Sequence, residues 1–437
     1  MATKKIEIKI LKLSPNLRDD YDLQDEATAS NCAQCEVDSD EDDEEEISDE
    51  EFEALKPYFK AVDQYCDGNY VEAVKGFREC AEKGDADAQC LLATCYKDGK
   101  GVDIDETEAL KWYLRAAKQG NTKAQMMTAL SYYFGRGVTQ DYTEAVKWFR
   151  KAAEQGDAES QCYLASCYYS GLGVEQDYTK AFEWTKRAAE QGRADDQYYL
   201  GSKYINGVGT PKDIKEGIKW YKKSAEQGND KAQYGLGSLY YYGSGVPEDN
   251  EEAVKWFSLS AKQGNKFAQT SLGECYLNGY GVPMDYKAAV NWFRLAAEQG
   301  DDIAQRKLGG CYLNGTGVSK NPEEAVNWLR LAAEQGDITS QHDLAVLYFN
   351  GDVIPEDNAE ALKWFSLAAE AGDGSSQNAL GYIYENGIGV ERDIDTARMW
   401  YIRVLMSDNN DEECETAREN LARFIKNGWG PVEADKD

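Results

Sequence analysis

The chain has 437 residues, 48 basic against 79 acidic side chains, a formal net charge of −31 and a single histidine. This excess of carboxylates argues against nucleic acid, whose phosphates are neutralised by Lys and Arg, and against an anionic membrane surface. No apolar run is long enough to cross a bilayer, the N-terminus lacks the apolar stretch of a secretory signal, and eleven cysteines leave one thiol unpaired in any monomer; the expectation is a reduced, cytoplasmic protein.

Residues 1–51 differ from the rest. "IEIKILKL" alternates like a strand without a partner strand, and 18 acidic against 5 basic side chains follow a pattern with almost nothing to bury. This segment is expected to be disordered and solvated. Ser39 and Ser48 lie among its carboxylates and resemble sites for acidophilic kinases. Cys32 and Cys35 have the spacing of half a zinc site, but four ligands are usual and no second pair stands nearby, so no metal is expected.

From Gly84 onward the chain is periodic. Gly84, Gly120, Gly156, Gly192, Gly228, Gly264, Gly300, Gly336 and Gly372 are spaced 36 residues apart without a slip. Gln lies five residues after each of them, Tyr twelve after and Trp 28 after, in all nine units; Ala lies 25 after in eight, with Gly217 the exception. Such a period is the mark of stacked supersecondary units, because one 36-residue hairpin cannot bury enough surface to stand alone.

Each unit reads as two helices. The first carries Ala, Leu and Tyr at helical spacing, as in Leu164 and Tyr168. A Gly-x-Gly follows in eight units, from Gly99 and Gly101 to Gly387 and Gly389; the exception is Gly351-Asp352-Val353. The third Gly of a dinucleotide fingerprint is missing and the pair follows a helix, so these are turn glycines. The second helix opens at Asp105, Asp141 or Asp249, with Glu108, Glu144 or Glu252 three residues on, which reads as a capping box. In the seventh unit Asn321 takes this place with Pro322 behind it, suited to a first helical turn. The Trp is expected to be largely buried among the alanines that follow. Residues 52–83 keep Ala73, Phe77 and Ala81 with a shorter loop, and read as an N-terminal capping hairpin. The nine units run over 84–407. Residues 408–437 offer Ala417, Leu421, Phe424 and Ile425 on one helical face with Gly428 as a stop, a C-terminal capping helix and short tail.

The pattern Ala-x-Gln-x-x-Leu-Gly/Ala-x-x-Tyr, then Gly-x-Gly-Val, Asp, Ala, Trp and Ala-Ala-x-x-Gly, resembles the Sel-1-like repeat family, kin of the tetratricopeptide repeats, over residues 84–407. The resemblance implies an all-α, right-handed superhelical solenoid of α/α hairpins whose first helices line a concave face. It also implies a role as adaptor or scaffold, without cofactor or catalysis. A secreted, cysteine-rich branch with a disulfide in each repeat has been linked to β-lactam binding and hydrolysis. Here Cys95, Cys167, Cys275 and Cys311 recur in first helices with no matching Cys in the second, so that reading loses its support and they are taken as small core fillers.

Little else suggests chemistry. His342 sits where other units place Asn378, Arg306 or Thr270, and is expected at the surface. Asn314-Gly315-Thr316 matches a glycosylation sequon once. The more informative signal is departure from the period. Places six, seven and fourteen after the Gly are expected on the face of the first helix away from the core, and elsewhere hold Asp98, Arg306, Lys307, Asp343 or Asn378. In units two to five they hold Phe134, Tyr163, Tyr198, Tyr199, Tyr234 and Tyr242. Two readings stay open: extra packing between first helices, or an aromatic groove for a partner. The partner expected is a protein or peptide with Lys or Arg beside apolar anchors; a carbohydrate or cell-wall ligand is the alternative.

Overall fold

The computed structural model describes residues 49–406 and 411–426; the acidic segment with Cys32, Cys35, Ser39 and Ser48, and the residues after Lys426, lie outside the described residues. Every described element is an α-helix, 21 in all, from Asp49–Cys66 to Asp411–Lys426. They form the all-α solenoid of hairpins that the period predicts. The chain divides into two compact units, one ending at Lys212 and the other beginning at Asp213.

The second repeat illustrates the local rules. Its helices are Thr122–Phe134 and Tyr142–Glu154, each 13 residues long. The Asn121 side chain accepts from Ala124 N at 2.8 Å and Asp141 from Glu144 N at 3.0 Å, so both helix starts are capped. The Asp141 backbone N–H donates to Tyr132 O at 2.9 Å and closes the hairpin. That bond uses the donor that the capping-box Glu was expected to satisfy. Glu144 instead holds Lys147 Nζ at 2.7 Å, as Glu108 holds Lys111 at 2.8 Å. Asn321 with Pro322 behaves as expected, accepting from Glu324 N at 3.3 Å.

The two turn glycines have different tasks. Gly171 ends its helix in the left-handed region at φ 71°. Gly173 also has positive φ, and a Cβ there would collide with the carbonyl of Tyr142 in the preceding repeat. The second glycine is therefore a site of backbone contact between hairpins as well as a turn.

The core holds an aromatic place that the repeat pattern did not single out. Trp112, Trp148, Trp364 and Trp400 are buried, but Trp184, Trp220, Trp256, Trp292 and Trp328 are only half-buried. The residue after the Trp fills the core: Tyr113, Phe149, Phe257, Phe293 and Tyr401 are fully enclosed. A Cβ on Gly237 would meet the Phe257 ring and one on Gly273 the Phe293 ring, so the small residues of the first helix make room for this aromatic. The indoles lie at the rim. Arg115 caps Trp112 at 4.3 Å and Lys223 caps Trp220 at 4.0 Å, while the Trp256 N–H donates to Glu252 at 3.0 Å.

A buried amide ties each hairpin to its neighbour. Gln125 Nε2 donates to Ala117 O of the preceding repeat at 3.2 Å, and its Oε1 accepts from Gln155 Nε2 at 2.7 Å. Gln89 with Gln119, Gln161 with Gln191, Gln233 with Gln263, Gln269 with Gln299 and Gln305 with Gln335 repeat the Oε1 bond at 2.7–2.9 Å. In the eighth repeat the donor's place is taken by Ala371, and the buried Oε1 of Gln341 has no hydrogen-bond partner.

Both ends of the array are closed. Helices Asp49–Cys66 and Tyr70–Glu82 bury Tyr58, Ala73, Phe77 and Ala81. At the other end, helix Asp411–Lys426 buries Ala417 and Phe424 and half-buries Leu421; the Ile425 side chain and Gly428 lie outside the described residues. The buried Glu385 accepts from Tyr401 Oη at 3.1 Å and pairs with Arg423, pinning this helix to the last repeat.

Two stability measurements test this core. Phe257→Ala should cost about 3–5 kcal/mol from lost packing and a residual cavity, and Trp256→Ala distinctly less; equal losses in denaturant titrations would contradict the assignment of the core ring. Ala371→Gln should add about 0.5–1.5 kcal/mol by supplying the missing donor to Gln341; a melting temperature that stays or falls would count against the relay.

Candidate interaction surface

The six aromatics sort into two groups. In the first unit Phe134 is 49% and Tyr199 45% exposed, and in the second Tyr242 is 73% exposed. Tyr163, Tyr198 and Tyr234 are half-buried. Tyr163 lies flat on the core ring of Phe149, with centroids 5.0 Å apart and planes 4° from parallel. Tyr198 meets Tyr199 at 5.4 Å, and Tyr234 sits 5.9 Å from Phe257 and 6.0 Å from Phe267. The sixth place does not point away from the fold as expected. It leans toward the next repeat, as the second unit makes plain: Thr270 donates to Asp301 at 2.9 Å and Arg306 pairs with Asp337 at 3.2 Å. In each case the acceptor is the N-cap of the following first helix.

The thirteenth place also carries aromatics, which the reading of the sequence passed over. Tyr133 makes edge contacts with Phe134, Tyr142, Phe149 and Tyr163 at 4.9–6.0 Å and is the hub of the cluster in the second and third repeats. Tyr169 is exposed and meets Tyr178 at 5.3 Å. Lys203 reaches over the Tyr169 ring at 4.8 Å from a place where Cys167 and Cys275 sit fully buried in their own repeats. Burial pulls the Lys203 ammonium below its usual pKa. The signal was available: aromatic rings thirteen residues after the Gly recur at Tyr133, Tyr169, Tyr241 and Phe349.

The geometry is that of a surface. The best-formed hollow among the described residues, between Lys97, Glu106, Tyr113 and Arg136, has room of about 20 Å³, enough for a water. Among the described residues no group of three or more His, Cys, Asp or Glu side chains is arranged to hold a metal, and no helix is long and apolar enough to cross a membrane.

The Sel1 repeat model matches nine consecutive segments, from residues 86–121 to 374–403. The chain belongs to the Sel1 repeat family. It is similar in structure to a protective antigen of uropathogenic Escherichia coli strains that displays an SLR fold: 35% identity, TM-score 0.70, with 81% of this chain and 75% of that one covered. It is also similar to a Sel1 repeat protein from Oxalobacter formigenes, at 31% identity and TM-score 0.58, over 72% of this chain and 90% of that one. No curated protein matches the chain by sequence.

Against the Sel1 period His342 has a definite place, and it is not the free surface that was expected. It occupies the sixth position of the eighth repeat, half-buried and 5.8 Å from the Phe365 ring. Its Nδ1 lies 2.9 Å from Ser376 Oγ and 3.3 Å from Asp373 Oδ2. These are the residue types of a catalytic triad, but both partners address one ring nitrogen and Ser376 is fully buried. The arrangement is a helix cap joined to the next Sel1 repeat. The hydrogen bond to Asp373 is the main cause of a raised His342 pKa, with Asp343 and Glu413 acting in the same direction and desolvation opposing.

This raised pKa fixes the sign of a pH effect. The charged pair stabilises the fold fully below the unfolded histidine value near 6.5, and the contribution is lost as pH rises through the higher folded value. His342→Gln should flatten the stability profile over that window. Urea midpoints at several pH values check it; identical slopes for both proteins would remove His342 from the account.

Proposed function

We propose that this Sel1 repeat protein is a protein-interaction scaffold that holds partner peptide on its first-helix faces, in the first unit over repeats two to four and in the second unit on repeat five. One observation carries the reading. Phe134, Tyr199 and Tyr242 leave aromatic area in water at places where other repeats hold Asp98, Lys307, Asp343 or Asn386. The fold does not require rings there, and tyrosine joins a rigid apolar body to a polar tip, which suits binding. The half-buried Tyr163 and Tyr198 would form the floor in the first unit, and Tyr234 in the second. The net charge of −31 favours a segment with Lys or Arg flanking apolar anchors, since opposite charges speed encounter and exclude wrong partners. Lys203 is a local exception, able to receive a carboxylate beside Tyr169. The activity proposed is binding without catalysis, in the cytoplasm. Burial raises the Cys167 thiol to about 11 and Cys275 to about 12, values suited to reduced packing residues rather than to nucleophiles.

The test uses the exposed rings, because the floor rings also hold the fold. A displayed peptide library panned against the full chain should enrich apolar residues next to Lys or Arg, with binding that weakens as salt screens the charges. Phe134→Ser, Tyr199→Ser and Tyr242→Ser together should remove that binding while stability changes by less than about 1 kcal/mol. Retained binding in a folded triple variant would place the partner elsewhere.

A further inference from the structure

The outer faces of the second helices carry a second pattern, 31 residues after each Gly. In five repeats this place holds a cation over the indole three residues before it: Arg115, Lys151, Arg187, Lys223 and Arg403 lie 4.0–5.1 Å from their Trp rings. In four consecutive repeats, all in the second unit, it holds Leu259, Leu295, Leu331 and Leu367, exposed by 46, 45, 45 and 42%. At this place the cation is replaced by a branched apolar side chain, and the leucines form one apolar row; only Trp364 among their indoles keeps a cation over its ring, Lys363 at 4.5 Å.

The row reads the same in both directions. Four residues before the leucines stand Lys255, Asn291, Asn327 and Lys363. The outer lysines pair with Glu252 at 2.9 Å and Glu360 at 3.3 Å, and these carboxylates also take the N–H groups of Trp256 and Trp364. The two central repeats have no charge at this place. A two-fold axis between the central repeats would set Leu295 of one copy against Leu331 of the other and Leu259 against Leu367, with the uncharged asparagines at the centre. Self-complementarity about such an axis is what an isologous interface requires.

The area agrees. At about 180 Å² for a free leucine the four expose roughly 320 Å², and the half-buried edges of Trp256, Trp292 and Trp328 raise this toward the ~500 Å² of apolar surface in one side of a standard ~800 Å² interface. A second copy of a chain with net charge −31 is repelled over most of its surface. At the centre of the row Asn291 and Asn327 carry no charge, and Arg294 and Arg330 beside the central leucines offset Glu298 and Glu334 one turn on, so that repulsion is weakest there. We propose that this row is the interface of an antiparallel homodimer, the occupant being a second copy of this chain.

Sedimentation equilibrium of the full chain at about 20 µM tests it, since dimer population depends on protomer concentration. The native chain should show twice the 48.9 kDa protomer mass. Leu295→Lys with Leu331→Lys should give a monomer with unchanged helicity and melting. Leu295→Glu with Leu331→Lys should keep the dimer, because each new carboxylate would face a new ammonium across the two-fold axis. A monomeric native chain, a dimer that survives the double-Lys change, or equal behaviour of the two double variants would overturn the proposal. Should either variant unfold, Leu259→Lys with Leu367→Lys puts the same test to the outer rungs, and a dimer retained there also overturns it.

Discussion

The buried glutamine five residues into each repeat sets the terms for the stack. Its amide is buried, so a donor or acceptor left unmatched by protein there costs about 1–3 kcal/mol, as at Gln341 Oε1. The donor goes to a carbonyl eight residues back, in the preceding repeat, and the acceptor takes a bond from a glutamine 30 residues on. A repeat one residue longer or shorter would leave one of these unmade. A period of 36 with no slip across nine repeats is the visible result. With the phase held, Gly173 can press against the Tyr142 carbonyl, and the Tyr at the twelfth place can meet the Arg of the repeat before it, as Tyr168 meets Arg150 at 2.9 Å and Tyr312 meets Arg294 at 2.8 Å.

Once the phase is held near the backbone, outward positions are free to differ. The sixth place of the first helix shows how far. Thr270, Arg306 and His342 each reach the N-cap Asp of the following repeat, by a hydroxyl, a guanidinium and an imidazole. Lys307 adds a link to Glu274 at 2.9 Å. Exposed ion pairs contribute little, but these are partly enclosed and bridge successive hairpins, so they stiffen that face. In the second to fifth repeats Met126, Cys162, Tyr198 and Tyr234 take the same place, and two of these four are rings.

Much of this was legible in the sequence, and the failures have physical causes. Period, helix starts and turn glycines could be read because each is enforced at a single place by a cap, a positive φ or a close approach. The core ring was missed because the Trp before it recurs without exception, while the ring's own place varies among Tyr, Phe, Leu and Thr. A packed interior accepts apolar residues of comparable volume, so the true core position looks less regular than the rim. The rim keeps Trp because a plate with one apolar face and one N–H suits a boundary. His342 was misread for the opposite reason: Asn, Arg and Thr at the equivalent places suggested solvent, but polar variety there reflects different ways of bonding one N-cap. The glutamate of the capping box was misassigned because a hairpin supplies its own acceptor for the N-cap donor, which no local pattern reveals. Tyr133 and Tyr169 do not stand out because their place also holds Ile205, Leu277 and Leu313, which reads as ordinary helix packing.

The two outer surfaces follow one rule. On the second helices the place three residues after the indole holds either a cation over its ring or an exposed leucine. On the first helices the same places are finished either by Asn and Asp or by Tyr and Phe. Each change touches one or two side chains in 36 and leaves the period of the array as it was. Because the array returns every outward place to the same face, changes in consecutive repeats line up into a continuous strip, where in a globular domain they would scatter. A strip built this way adds binding area without rebuilding the core. Its length is set by how many consecutive repeats carry the change, as in the four repeats that carry the leucines of the second helices.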